Sequence, residues 1–136
     1  MNYQLLKTLV VGMSGTDEVI AATINTKDIP ATQNIQVADI KKYLIVTGKI
    51  LSIKASTDPA ALLTMEALNS FAEFIMSDAA NVAALNAQMD GLVAASLLTA
   101  ADKTAILALG DTLESLADQN NLGVVRAGDI QYARTL

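Results

Sequence analysis

The chain has 136 residues, 9 Lys+Arg against 14 Asp+Glu and a net charge of −5, the length and balance of one ordinary domain. With no Cys and no His, it has no disulfide framework, thiolate nucleophile, imidazole base or zinc site of the usual ligand types. Hydrophobic residues make up 52% and aromatics only 4%, which predicts a helical chain with a small-residue core.

Asn2 offers a cap for a first helix to about Val11, with Tyr3, Leu6 and Val10 on one stripe and Lys7 outside it. Gly12 and Gly15 bracket the break. Thr16 caps a second helix, Asp17 and Glu18 stand at its positive dipole end, and Val19, Ile20 and Ile24 are expected to face inward. Ile29-Pro30 ends that element, and Ala31–Gln36 reads as a polar loop. From Val37 to about Val46 the helical spacing of Val37, Ile40 and Leu44 predicts a helix, interrupted at Thr47-Gly48. Over 49–54, Ile enrichment argues for a strand and the want of a partner strand for a helix; helix is the reading adopted.

Asp58-Pro59 is the strongest local signal, a cap followed by Pro at the first helical position, where a missing N–H costs nothing. The helix it opens is expected to run through Ser77, with Glu66, Asn69, Ser70, Glu73 and Ser77 on one face and Leu62, Met65, Leu68, Ala72 and Ile75 opposite. Phe71 and Phe74 widen that apolar arc beyond what one contact needs, which marks them as candidate partner-binding residues. Val82, Leu85, Met89 and Leu92 carry a further helix that Asp90-Gly91 is placed to bend or split. Thr99 and Asp102 form a capping box, opening a helix with Ile106, Leu109, Leu113 and Leu116 inside and Asp111, Glu114, Ser115 and Asp118 outside. Gly123 suits a left-handed helix stop; 124–126 then runs extended, and Gly128-Asp129 starts a last turn with Ile130, Ala133 and Arg134. Together these elements predict an all-α, compact single-domain bundle over 1–136, of about five to seven short helices, with an extended segment admitted near 49–54 or 124–126.

No run approaches the ~18 uncharged apolar residues of a membrane span, and the first 13 residues lack a secretory cleavage pattern, so no membrane partner is expected. Charge is uneven: residues 1–54 carry +2, 55–121 carry −8 with Lys103 as their one cation, and 122–136 carry +1. The acidic middle repels phosphate, and Tyr43 alone lies near Lys41-Lys42, so nucleic acid is a poor fit.

Catalytic and metal readings find little support. Glu66 with Glu73, and Asp111 with Glu114 and Asp118, fall on the polar side of amphipathic patterns, whereas a catalytic carboxylate needs burial or a like-charge neighbour to move its pKa toward neutrality. A di-metal bundle site wants a Glu-x-x-His pair, and an EF-hand wants loop spacing that these acids lack. Gly12-Met13-Ser14-Gly15 lacks the Lys-Ser/Thr of a phosphate loop. No catalytic residue, metal site or cofactor is assigned. In the tail, Arg126 and Arg134 are both within reach of Asp129 as a clasp, or else present donors to a partner alongside Tyr132.

Taken together, the MNYQLLK start (Met1–Lys7), the GMSGTDEVIAATINTK segment (Gly12–Lys27) and the LGVVRAGDIQYAR ending (Leu122–Arg134) resemble a group of small, mostly uncharacterised proteins of tailed bacteriophages. That group tends to begin with a Met-Asn-Tyr helix and to close on Leu-Gly-x-Val-Arg-x-Gly-Asp before Ala-Arg. This chain departs from the pattern at Pro30 and Lys41-Lys42. The resemblance implies a phage product encoded near structural genes, with no activity and no catalytic residues to carry over. The expectation is a non-enzymatic protein, in the virion or host cytoplasm, that works by contact with itself or other virion proteins, with a homo-oligomer in view. The alternative is an acidic phage protein that binds and inhibits a host factor.

Overall fold

The computed structural model describes all residues, Met1–Leu136. Side-chain oxygens set the helix starts: Asn2 accepts from the Leu5 N–H, Thr16 from Val19, Asp58 from Ala60 and Asp78 from Ala80. Each satisfies a donor that the first helical turn leaves free. The elements are α1 (Tyr3–Val10), α2 (Asp17–Asn25), β1 (Ile29–Thr32), β2 (Ile35–Gln36), α3 (Val37–Val46), α4 (Lys49–Ala55), α5 (Pro59–Ser70) and β3 (Glu73–Phe74). They continue with α6 (Ala79–Ala94), α7 (Ala100–Leu107), a 3₁₀ turn at Ala108–Gly110, β4 (Asp111–Glu114), α8 (Leu116–Gln119) and α9 (Ala127–Arg134). No helix is long and apolar enough to cross a membrane.

The chain is mainly helical, and the all-α expectation is corrected by two small sheets, β1 with β4 and β2 with β3. Nine helices stand where about five to seven were expected, and two long expected helices stop early, the first giving way to β3 and the second resuming as α8. The first stops at Ser70, where backbone pairing takes over: β3 runs antiparallel to β2 with Ile35 opposite Phe74 and Gln36 opposite Glu73. Val37 N–H adds a bond to Ala72 O at 2.9 Å. The second stops at Gly110, whose carbonyl accepts the Gln33 N–H at 2.8 Å, and where a Cβ would meet Ile35 Cγ1 at 3.3 Å. What reads as a polar loop over 31–36 is therefore largely strand. Residues 49–55 are helix, and 124–126 form an irregular link after Gly123 at φ +69°.

Contacts divide the chain into two units, Met1–Ala31 with Leu113–Leu136, and Thr32–Thr112. In the first, Leu6 and Val10 of α1, Ile20, Ala21 and Ile24 of α2, and Ile130 and Ala133 of α9 form a core with Ala117, Leu122 and Val125. Val19, expected inside, is 54% exposed and lies over Gly15, where a Cβ would come within 3.1 Å of its Cγ1. In the second, Ile35, Ile40, Leu44, Ile53, Leu68, Phe74, Leu85, Met89, Leu92 and Ile106 are the centre of the core. Helix α6 runs unbroken through Asp90-Gly91. Gly91 is there for packing: a Cβ would meet the Ala60 Cβ at 2.7 Å, so only glycine lets α6 come this close to α5.

Candidate functional site

Within the 32–112 unit, α5 turns Ala60, Leu63 and Ala67 to one side, at the three- and four-residue steps of a helical stripe, and Phe71, just past its end, extends that side. Across from it α6 presents Ala84, Ala87 and Gln88. Alanines on both walls leave a groove between the helices. It holds two adjoining cavities of about 300 and 400 Å³ that share Leu63, Ala84 and Gln88. The lining is almost wholly apolar, with Glu66 and Ser70 at one rim, where the Ser70 hydroxyl donates to Glu66 Oε1 at 3.3 Å. Leu63 is 57% exposed and Phe71 54%, so the wall of the groove faces solvent.

Gln88 is the unusual lining residue. It is 8% exposed, yet its side-chain amide makes no hydrogen bond within the chain. Its amide atoms still reach solvent, since no fully buried side-chain nitrogen or oxygen lacks a partner, so two donors and an acceptor are open at the groove. The other buried polar side chains are occupied: Thr64 donates to Ala60 O at 2.7 Å, and Asp102 and Ser115 belong to capping boxes.

The six residues singled out from sequence fall into two groups, one in each unit. Phe71 and Phe74 meet edge to face with centroids 5.9 Å apart, but only Phe71 is available to a partner, since Phe74 is 2% exposed and belongs to the core. In the other unit, Asp129 accepts the Arg126 backbone N–H at 2.9 Å and the Tyr3 hydroxyl at 3.1 Å. Tyr132 packs edge-on against Tyr3 at 4.7 Å, and Arg134 pairs with Asp17. The expected reach of both arginine side chains to Asp129 is thus replaced by bonds that tie α9 to α1 and α2. The Tyr3 hydroxyl is held protonated above its ordinary range, chiefly because it donates to Asp129.

Sequence reasoning passed over Leu63, Ala84 and Gln88. A signal was present for Gln88, which stands three residues after Leu85 and four before Leu92, on the inner side of α6.

A second polar cluster joins Tyr43, Lys49 and Asp102. The Asp102 carboxylate accepts the Thr99 N–H at 2.8 Å and the Tyr43 hydroxyl at 2.6 Å, with Lys49 Nζ at 3.6 Å. These bonds, the Thr99 N–H first, hold its carboxyl down at about 2. Asp118 is likewise pulled to about 2 by the Ser115 N–H and by Lys27 at 2.9 Å. Such groups stay anionic at neutral pH and serve as fixed acceptors, whereas a general acid or base needs a shift toward neutrality. No group of three or more acidic side chains is placed to hold a metal ion. Comparison with known proteins finds no matching family model, no matching curated protein and no matching solved structure.

Proposed function

We propose that this chain is a non-enzymatic phage protein that works by protein–protein contact, as a minor virion or virion-assembly component. The observation that carries the contact reading is the open apolar groove between α5 and α6, whose one deeply placed polar side chain, Gln88, has no partner in its own chain. A surface of this kind loses free energy by staying wet, at roughly 25 cal/mol per Å² of apolar area, and gains it back when a partner covers it. The two strongly shifted carboxylates support a non-catalytic reading, since both are held ionised by structural hydrogen bonds. The phage assignment draws on the resemblance of the two chain ends described above.

Mass spectrometry of purified particles of the phage that carries the gene tests the assignment. Peptides from this chain at a fixed ratio to capsid or tail proteins are the expected result, and their absence from washed particles overturns it. The host-inhibitor reading draws on residues 55–121, which hold nine acids against Lys103 alone, a charge of −8 that would imitate nucleic acid. Salt-sensitive capture of a single host nucleic-acid-binding protein, with no chain in particles, favours that reading instead.

A further inference from the structure

We propose that the α5–α6 groove receives the α3–α4 ridge of a second copy of this chain, so that copies join head to tail. This rests on the contact reading above and names its partner. This α3–α4 surface is the other large exposed apolar feature of the 32–112 unit: Ile45, Val46 and Leu51 are 62%, 77% and 73% exposed, and Val46 also lines a shallow cavity of about 380 Å³ with Asp39, Lys42, Tyr43, Thr47 and Leu109. Lys41 and Lys42 stand one turn before Ile45 and Val46, and Lys54 follows Leu51 by three residues, so cations flank the apolar side chains on both helices. None of these three lysines pairs with a carboxylate in its own chain.

The charges decide which surface meets which. Residues 37–55 carry four lysines and Asp39, with Lys49 paired to Asp102, while residues 56–98 carry five acids and no cation; of these acids Glu66 lines the groove and Asp90 is paired with Lys103. Groove against groove sets Glu66 against Glu66, and ridge against ridge sets lysines against lysines; groove against ridge brings Glu66 to the unpaired lysines. The overall net charge of −5 opposes association at long range, but salt screens that term beyond roughly 8–10 Å, inside which the local pairing acts. In the joined state Leu63 and Phe71 cover Val46 and Leu51, and the Gln88 amide oxygen accepts from an incoming lysine ammonium. A contact between two different surfaces is heterologous, so repeating it gives a ring or a filament in place of a closed two-fold dimer.

Sedimentation equilibrium of the full chain at 50 and 500 mM NaCl, from micromolar to several hundred micromolar, tests this together with two surface variants. The wild type is expected to rise above the 14.2 kDa of one chain with concentration, with association at least tenfold weaker at the higher salt. Val46→Asp spoils the ridge and Leu63→Asp the groove, so each alone is expected to stay monomeric with wild-type far-UV circular dichroism. Mixed in equal amounts, they retain one intact ridge and one intact groove between them, and are expected to form a species of twice the single-chain mass and nothing larger. Gln88→Ala is expected to weaken association several-fold without changing that pattern. A wild type that stays monomeric throughout, a folded pair of variants that does not recombine, or association indifferent to Val46→Asp each overturns the inference. If the chain is nevertheless recovered in particles, the broader contact reading survives that result; if it self-associates but is missing from particles, the reverse holds.

Discussion

In the unit built from 1–31 and 113–136, surface polar groups find partners far along the same chain. Tyr3 donates to Asp129, Asn25 both donates to and accepts from Val125, Lys27 pairs with Asp118, Arg134 with Asp17, and the Lys7 ammonium donates to the Leu136 carbonyl. In the 32–112 unit several groups of the same kinds are left open: Lys41, Lys42 and Lys54 have no counter-ion, and Gln88 has no hydrogen bond. Both units bury an aliphatic core, so the difference does not concern whether each can fold. It lies in what remains unsatisfied once folding is complete, and that remainder is the better guide to where a partner is received. Charge and aromatic character alone mark the tail residues and the groove equally; hydrogen-bond accounting separates Gln88 from Asp129 and Arg134, which are paired, while the Arg126 guanidinium pairs with no carboxylate.

The largest effect that would sharpen this contrast is expected from the two phenylalanines. Phe74→Ala empties a fully buried site and should cost about 3–5 kcal/mol in denaturant unfolding. Phe71→Ala, losing an exposed ring and one edge contact, should cost about 1 kcal/mol while weakening self-association. Equal destabilisation by the two would break the distinction between core and contact surface. Next comes Asn25→Ala in the other unit. It removes bonds of 2.6 and 2.9 Å to the backbone of Val125, itself 2% exposed, and should cost about 1–3 kcal/mol with no effect on association.

Acid should act on both units, since Asp102 belongs to one and Asp118 to the other. Each carboxyl sits near 2 in the folded chain, below the ordinary value of about 4 that it regains on unfolding. Between those values the unfolded chain binds more protons, so the contribution of both groups is full above about pH 4 and is lost as the pH falls toward 2. Urea midpoints measured from pH 7 to 2 should show that decline, and the double variant Asp102→Asn, Asp118→Asn should flatten it while lowering the plateau. The smallest effect is expected from Arg134→Ala: its pair with Asp17 is partly exposed, and such pairs contribute about 0.2–1 kcal/mol, falling with salt.

The features legible in the sequence are those decided within a few residues. Caps at Asn2, Thr16, Asp58 and Thr99 and Pro59 at the first helical position need only neighbours along the chain, and each stands where the pattern puts it; the left-handed stop expected at Gly123 falls instead on Asn121 at φ +53°, with the Leu122 N–H on Ala117 O. The breaks at Phe71 and Gly110 need residues 33–37, which supply the strand and the hydrogen bonds that replace helix there. Phe71, Phe74 and Ile75 keep helical spacing, and nothing local forbids the helix from continuing; a distant backbone wins. The groove was legible only in part. Phe71 was marked by surplus apolar surface, but Leu63, Ala84 and Ala87 look like ordinary helix interior until two helices are seen to leave space between them.

The 32–112 unit is interposed between the two halves of the other, and this fixes an order of events during synthesis. Its helices meet sequence neighbours, so loop-closure cost is low and it is able to mature as soon as Thr112 has cleared the ribosome. Helices α1 and α2 have to wait until α9 has been translated, for their shared core includes Ile130 and Ala133. Until then Leu6, Val10, Ile20 and Ile24 are uncovered on a nascent polypeptide whose final stretch is missing. A premature stop just before Ala127 would therefore yield a product with one finished half and one permanently exposed, a natural target for chaperones and proteases.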